Sequence, residues 1–268
     1  MLRWLGRNAL RAYTGLALVY LLLPIFIVAI FSFNDPVGKT NYTWVGFTLS
    51  HWANLFAIPG LLDSVIVSLR IAFISTLAAT TLGTLAALAL VRYQFRGRPA
   101  TSLFIFLPLA TPEIILGASL LTLFVAIGQP PFFPLNEFTI LIAHITFHIS
   151  YVIVTVRARL SGFDRRLEEA SADLGADGWQ TFWRVTFPLI LPGIAASAVL
   201  AFGLSLDDFV ITRFNAGQVQ TFPVYIYLKV QKGIPPQVNA FATLFFVATV
   251  SLVAIGALLQ RRRANLKP

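Results

Sequence analysis

The sequence predicts an all-α membrane protein with six transmembrane helices and both termini in the cytoplasm. Three observations point there. Of 268 residues 57% are hydrophobic and only 12% charged, with a mean hydropathy of +0.78. Soluble domains carry about 25% charged residues, so ordinary soluble enzymes are excluded, and so much apolar surface excludes disorder. The charges are spaced to leave long uncharged runs. The Lys and Arg residues lie overwhelmingly on one side of those runs. No cysteine is present, which removes disulfides, thiolate catalysis and Cys-ligated metal centres.

The runs justify the spans in order. Between Arg11 and Asp35 lie 23 residues without Asp, Glu, Lys or Arg, and between Arg70 and Arg92 there are 21. Glu137 to Arg157 leaves 19, Arg184 to Asp207 leaves 22, and Lys232 to Arg261 leaves 28. About 20 apolar residues in a helix cross a hydrocarbon core of roughly 30 Å. The remaining span, about Thr101 to Ile127, is interrupted by Glu113, and Gly128-Gln129-Pro130-Pro131 with Pro134 ends it. The expected spans are thus about 12–33, 64–91, 101–127, 138–156, 189–212 and 238–260, forming one domain over 1–268. Barrel strands alternate over about 10 residues and do not fit such runs. The first run is longer than a signal-peptide core of roughly 7–15 residues and lacks a clear cleavage site, so it reads as a retained helix.

Orientation follows from the basic residues. Of the 20 Lys and Arg residues, 15 fall on the side of the termini, in groups around Arg7, Arg96, Arg165 and Arg262. Lys39, Arg213, Lys229 and Lys232 fall on the other, and Arg70 lies near the outer end of the second span. The positive-inside rule places the termini in the cytoplasm. The net charge of +9 is therefore topological and does not mark a nucleic-acid surface. The outer segment of about 34–61 carries Tyr42, Trp44 and Trp52, which suit an interfacial aromatic belt. Gly38-Lys39-Thr40 imitates the end of a phosphate-binding loop, but position 33 is Phe where a glycine is needed.

The cytoplasmic segment of about 161–188 is the richest in charge. Leu167, Ala170 and Leu174 recur on one face of a short helix. Asp164 suits its N-cap and Gly175 a left-handed C-terminal stop. A second amphipathic piece with Trp179, Phe182 and Trp183 precedes Pro188 and Pro192. Two readings fit: a knob for a partner's groove or a helix lying on the lipid surface.

Glu169-Ala170-Ser171, three residues, Gly175, nine residues, then Val185-Thr186-Phe187-Pro188 resembles the EAA loop of ABC-importer permeases. That family's pattern is E-A-A, three residues, G, nine residues, I-x-L-P, and this chain departs from it at Ser171, Val185 and Phe187. Trp44 to Thr48, Ser161 to Asp164, Leu204 to Asp208 and Pro236 to Ala240 are similar to the second permease of spermidine/putrescine importers, and His144 to Phe147 fits that group too. The resemblance implies a type I ABC-importer permease fold that is not itself an enzyme. It further implies a sister permease, two ATPase subunits that bind ATP and magnesium, and an external solute-binding protein. This chain would hold no cofactor. Glu168, Glu169, Ala170, Ser171, Asp173, Leu174 and Gly175 would dock on the ATPase. Permeases of this kind resemble relatives for other small solutes, such as amino acids, opines and metal chelates.

Ionisable groups inside a membrane are costly and so are candidates for function. Glu113 lies about 18 Å into the third span, beside Pro108 and Pro112, and Asp207 and Asp208 lie toward the outer end of the fifth. Adjacent helical residues point about 100° apart, so one Asp of the pair faces a central path and the other a neighbouring helix. Glu113 with at least one of them could line a path for a cation; a helix–helix hydrogen bond, or a pair with Arg213 or Arg70, is the structural alternative. His144 and His148 stand one turn apart, but no carboxylate or third imidazole lies nearby in sequence. Packing or interhelical bonding is the better reading than a metal site. Asp63 and Arg70 share a face at the start of the second span, in a vestibule or as a loop anchor. The rival classes are a membrane-embedded enzyme using the Asp or His pair, and an autonomous channel or secondary transporter. The halves show no internal repeat that would favour the last.

Overall fold

A computed structural model describes residues 2–38, 40–231, 233 and 235–265. Among the described residues the chain is helical, without named strands. In order the helices are α1 (Leu2–Phe31), α2 (Ser50–Ala53), α3 (Leu61–Arg92), α4 (Arg98–Ala110), α5 (Glu113–Ile127), α6 (Glu137–Ser161), α7 (Arg166–Asp173) and α8 (Gly178–Thr181). A π turn (Phe182–Thr186) leads into α9 (Phe187–Asp207), followed by α10 (Val210–Asn215), α11 (Phe222–Val230) and α12 (Pro236–Asn265). Four stretches are long and apolar enough to cross a membrane: Ala9–Phe31, Leu61–Arg92, Glu137–Ser161 and Gly178–Asp207. The bent pair α4–α5 makes a fifth if it counts as one span. The side chains of α12 are described as far as Ser251, so the second half of the expected span 238–260 lies outside the described side chains, as do Arg3, Arg7, Lys39, Lys232, Arg261, Arg262, Arg263 and Lys267 of the basic census.

The chain forms two compact units, Met1–Leu61 with Ile226–Pro268, and Leu62–Tyr225. In the first, α1 and α2 each pack against α12. The loop after α1 is organised by Asn34, which is fully buried. Its amide donates to Asn41 Oδ1 (2.6 Å) and the Thr43 carbonyl (2.7 Å), and its Oδ1 accepts from the Val45 N–H (2.7 Å). Phe33 stacks on both Phe47 and Trp52. Trp52 thus packs within the loop and donates from its indole to Ser32 Oγ at 3.3 Å, while Tyr42 and Trp44 remain exposed.

In the second unit α6 is the hub, packed against α4, α5, α9 and α10. Small residues let helices approach, as hydrocarbon gives no hydrophobic drive for association: Ala79 and Ala87 of α3, Ala143 of α6 and Ala201 of α9 are fully buried. The direction of α3 relative to α6 is fixed at two levels. Arg70 pairs with Glu137, and further along a Cβ on Gly83 would lie 2.6 Å from Val152 Cγ1. The two helices run parallel, so the α4–α5 pair carries the chain from the end of α3 back to the level where α6 begins. In contrast α9 runs antiparallel to α6, with Arg159 Nε donating to the Leu189 carbonyl (3.1 Å) at one end and His144 meeting Ser205 at the other.

Two expected spans are broken. The third, 101–127, bends by 109° between Ala110 and Glu113. Thr111 is extended (φ −85°, ψ 131°) because Pro112 excludes the helical region for the residue before it. Pro108, inside α4, does not break its helix. The fifth, 189–212, stops at Asp207. Asp208 is extended (ψ 120°) and the chain restarts as α10.

Candidate functional site

Both breaks carry carboxylates. Glu113 is the first residue of α5 and exposed, where the positive end of the helix dipole favours an anion. It therefore stands at a kink rather than within a continuous span. The carboxylates of Asp207 and Asp208 lie within electrostatic reach of Glu113, which in turn reaches Tyr151. The contact of α5 with α10 brings the breaks together. A Cβ on Gly117 would lie 3.0 Å from the Phe214 ring, and Asn215 donates to the Gly117 carbonyl at 3.3 Å.

The two aspartates divide, though not by helical spacing, since the helix ends at Asp207 and Asp208 is extended. Asp207 is exposed, whereas Asp208 is buried. Asp208 Oδ2 accepts from the Thr212 N–H and hydroxyl, both at 2.7 Å, and Oδ1 from the Ile211 N–H at 3.4 Å, so this side chain caps α10. Across the bundle His144 Nε2 is 3.2 Å from Asp208 Oδ2 and 2.9 Å from Thr212 Oγ1, and its Nδ1 is 2.8 Å from Ser205 Oγ. With the proton on Nε2 the ring donates toward Asp208 and accepts from Ser205. Ser205 in turn meets Ser75 at 3.1 Å, extending the polar chain from α6 through α9 to α3. The interhelical bond read from the sequence is present at His144. His148 is fully buried, packed on His144 and Phe147, and its ring nitrogens have no hydrogen-bond partner among the described residues. Among the described residues Arg70 bridges to Glu137, and neither Arg70 nor Arg213 bridges to Asp207 or Asp208. Nor do the described residues bring three His, Cys, Asp or Glu side chains together for a metal ion.

The segment after α6 is a second candidate. Asp164 Oδ1 accepts the Arg166 N–H at 3.0 Å, so it turns the chain into α7 one residue ahead of the N-cap position, Arg165. Gly175, at φ +82°, ends α7 with the paired bonds of a Schellman motif, Ala176 N–H to the Ser171 carbonyl (3.1 Å) and Gly175 N–H to the Ala172 carbonyl (2.9 Å). Glu169, Ala170, Asp173, Leu174 and Gly175 are exposed, Leu174 to 90%. Ser171 is half-buried and bonds Thr181 of α8 at 3.1 Å. Glu168 differs from its neighbour: its carboxylate turns back to Arg92 of α3 and Thr186 of the π turn. The side-chain contacts of Arg92, Thr186 and Asp177 are not among the sequence expectations. Only Asp177 had a local signal, as a capping residue ahead of α8, where it accepts the Gln180 N–H at 2.8 Å.

Residues 79–265 match the family described as "Binding-protein-dependent transport system inner membrane component". The chain is 37% identical to the spermidine/putrescine transport system permease protein PotC of Haemophilus influenzae, covering 98% of this chain and 99% of that one. It is 37% identical to PotC of Escherichia coli strain K12 over 97% of each chain. With the putrescine transport system permease protein PotI of that strain it shares 39% identity, over 87% of this chain and 84% of the relative. Among solved structures it is similar to a bacterial ABC transporter that imports the acidic polysaccharide alginate, with a TM-score of 0.71 at 20% identity over 99% and 96% of the two chains. The MetNI methionine ABC transporter follows with a TM-score of 0.60 at 17% identity over 76% and 95%. These structures share the fold. A multi-pass inner-membrane permease component rather than an enzyme, the chain belongs to the binding-protein-dependent transport system inner membrane component family.

Proposed function

We propose that the chain is a permease subunit of an ATP-driven polyamine importer, taking spermidine or putrescine. Near full-length similarity to permeases named for those solutes carries the reading. The chain crosses the bacterial plasma membrane six times with both termini cytoplasmic and supplies half of the translocation path. A sister permease, an external solute-binding protein and two ATPase subunits that bind ATP and magnesium complete the machine. Glu113 and Asp207, exposed at neighbouring helix breaks, line the path and attract an ammonium group. Asp208 holds the break between α9 and α10. The exposed Glu169, Ala170, Asp173, Leu174 and Gly175 form the docking face for the ATPase, while Ser171 braces it from within.

Uptake by the reconstituted complex, challenged with putrescine, spermidine, amino acids and anions, tests the substrate. ATP-dependent polyamine uptake that falls in Glu113→Gln and in Asp207→Asn is expected. Uptake of an amino acid or an anion in place of polyamine would overturn the substrate, and unchanged uptake in both variants would overturn the path.

A further inference from the structure

Glu168 and Glu169 are adjacent acids in one short helix, yet they face different tasks. Glu169 is exposed. The Glu168 side chain retains 23% exposure and Arg92 33%, and the two are paired. The same carboxylate oxygen, Oε1, accepts the hydroxyl of Thr186, a fully buried residue that closes the π turn. Arg92 also donates to Thr186 Oγ1 at 3.3 Å. Beside this triad the Arg165 guanidinium donates to the Val91 carbonyl at 3.1 Å. Charge-assisted bonds of this kind are the stronger class. Three elements thus converge on one carboxylate: the end of α3, the start of α7 and the turn that feeds α9.

We infer that Glu168 is a positioning residue that joins α7, α3 and α9 into one body. A push on the exposed face of α7 then moves two membrane helices together instead of bending the loop. This rests on the proposed coupling role of the loop but gives Glu168 a different task from Glu169. Hydrogen-bond and salt-bridge networks that tie the element receiving the push to the ones that move are one physical route for such coupling.

The test measures uptake, ATP hydrolysis and ATPase co-purification in the reconstituted complex. Glu168→Gln is expected to keep co-purification and hydrolysis while solute imported per ATP falls about tenfold, a typical size for coupling between sites. Thr186→Val, which removes both bonds of the Thr186 hydroxyl and leaves the ion pair, should shift the ratio the same way by less. Because the chain has no cysteine, a second measurement restores the link covalently. In a cysteine-free complex, the double variant Arg92→Cys with Glu168→Cys should be uncoupled, and a short bismaleimide bridge should recover the ratio. An unchanged ratio in Glu168→Gln, or a bridge that leaves the double variant uncoupled, overturns the inference. So does loss of ATPase co-purification in Glu168→Gln, which would make Glu168 a docking residue. Failure of wild-type polyamine uptake would instead count against the substrate, since the ratio can be read with whichever solute is carried.

Discussion

Asp207 and Asp208 are chemically identical and adjacent, and their surroundings give them opposite consequences. Asp208 is buried and accepts from Thr212 and His144 within a chain of polar groups reaching Ser75. Removing its carboxylate takes the acceptor from the Thr212 N–H and hydroxyl and leaves His144 Nε2 with Thr212 Oγ1 alone. Orphaning a buried polar group costs about 1–3 kcal/mol. Asp208→Ala should therefore lower the unfolding temperature of the purified protein in detergent. Asp207→Ala should leave it unchanged, within the roughly 0.5 kcal/mol usual for surface substitutions, and lower uptake instead. Thermal unfolding of the two variants side by side decides it: equal destabilisation would mean that Asp207 too is held by the fold.

The short elements of the coupling loop depend on backbone geometry at one position. Gly175 is at φ +82°, and a Cβ built there meets nothing within 4 Å. Crowding is thus not what demands glycine; the left-handed conformation is. Asn tolerates that region far better than a β-branched residue. Gly175→Asn should keep most of the uptake and Gly175→Val lose it, measured in intact cells with ATPase co-purification as the control. Equal loss in both would mean that the ATPase docks too closely for any side chain. This stop was legible because a Schellman ending depends on neighbours a few residues apart. So were the long helices, since uncharged runs are local. The kink was half legible. Pro108 and Pro112 both stand in the sequence, but only Pro112 breaks the helix, and mean hydropathy averages over a bend. The partners of Asp208 and Glu168 were hidden, because His144 is 64 residues from the first and Arg92 76 from the second. Pairing at that separation leaves no periodic trace in the chain.

At the scale of the whole molecule the question is how often the chain crosses the membrane, and the bent pair α4–α5 decides it. A helix pair bent by 109° could enter and leave on one side. The parallel course of α3 and α6 argues against that. Arg70 meets Glu137 near the start of both, and Gly83 meets Val152 farther along. A re-entrant loop would deliver the chain to the same face it left, and α6 would then run against α3. The chain should therefore expose 93–97 on one side and 128–136 on the other. The basic residues Arg92, Arg96 and Arg98 put the first of these in the cytoplasm by the positive-inside rule. With no native cysteine, single cysteines can be placed freely. Gln129→Cys in intact spheroplasts should react with a membrane-impermeant maleimide, and Arg96→Cys only after permeabilisation. A fluorescent protein fused after Pro268 should fluoresce in the cytoplasm. Reaction of both cysteines from the same side would make α4–α5 re-entrant, leave five crossings and separate the termini. In that case the kink at Pro112 would be the tip of a loop dipping into the membrane, and Glu113 would sit at that tip rather than beside a path open to both faces.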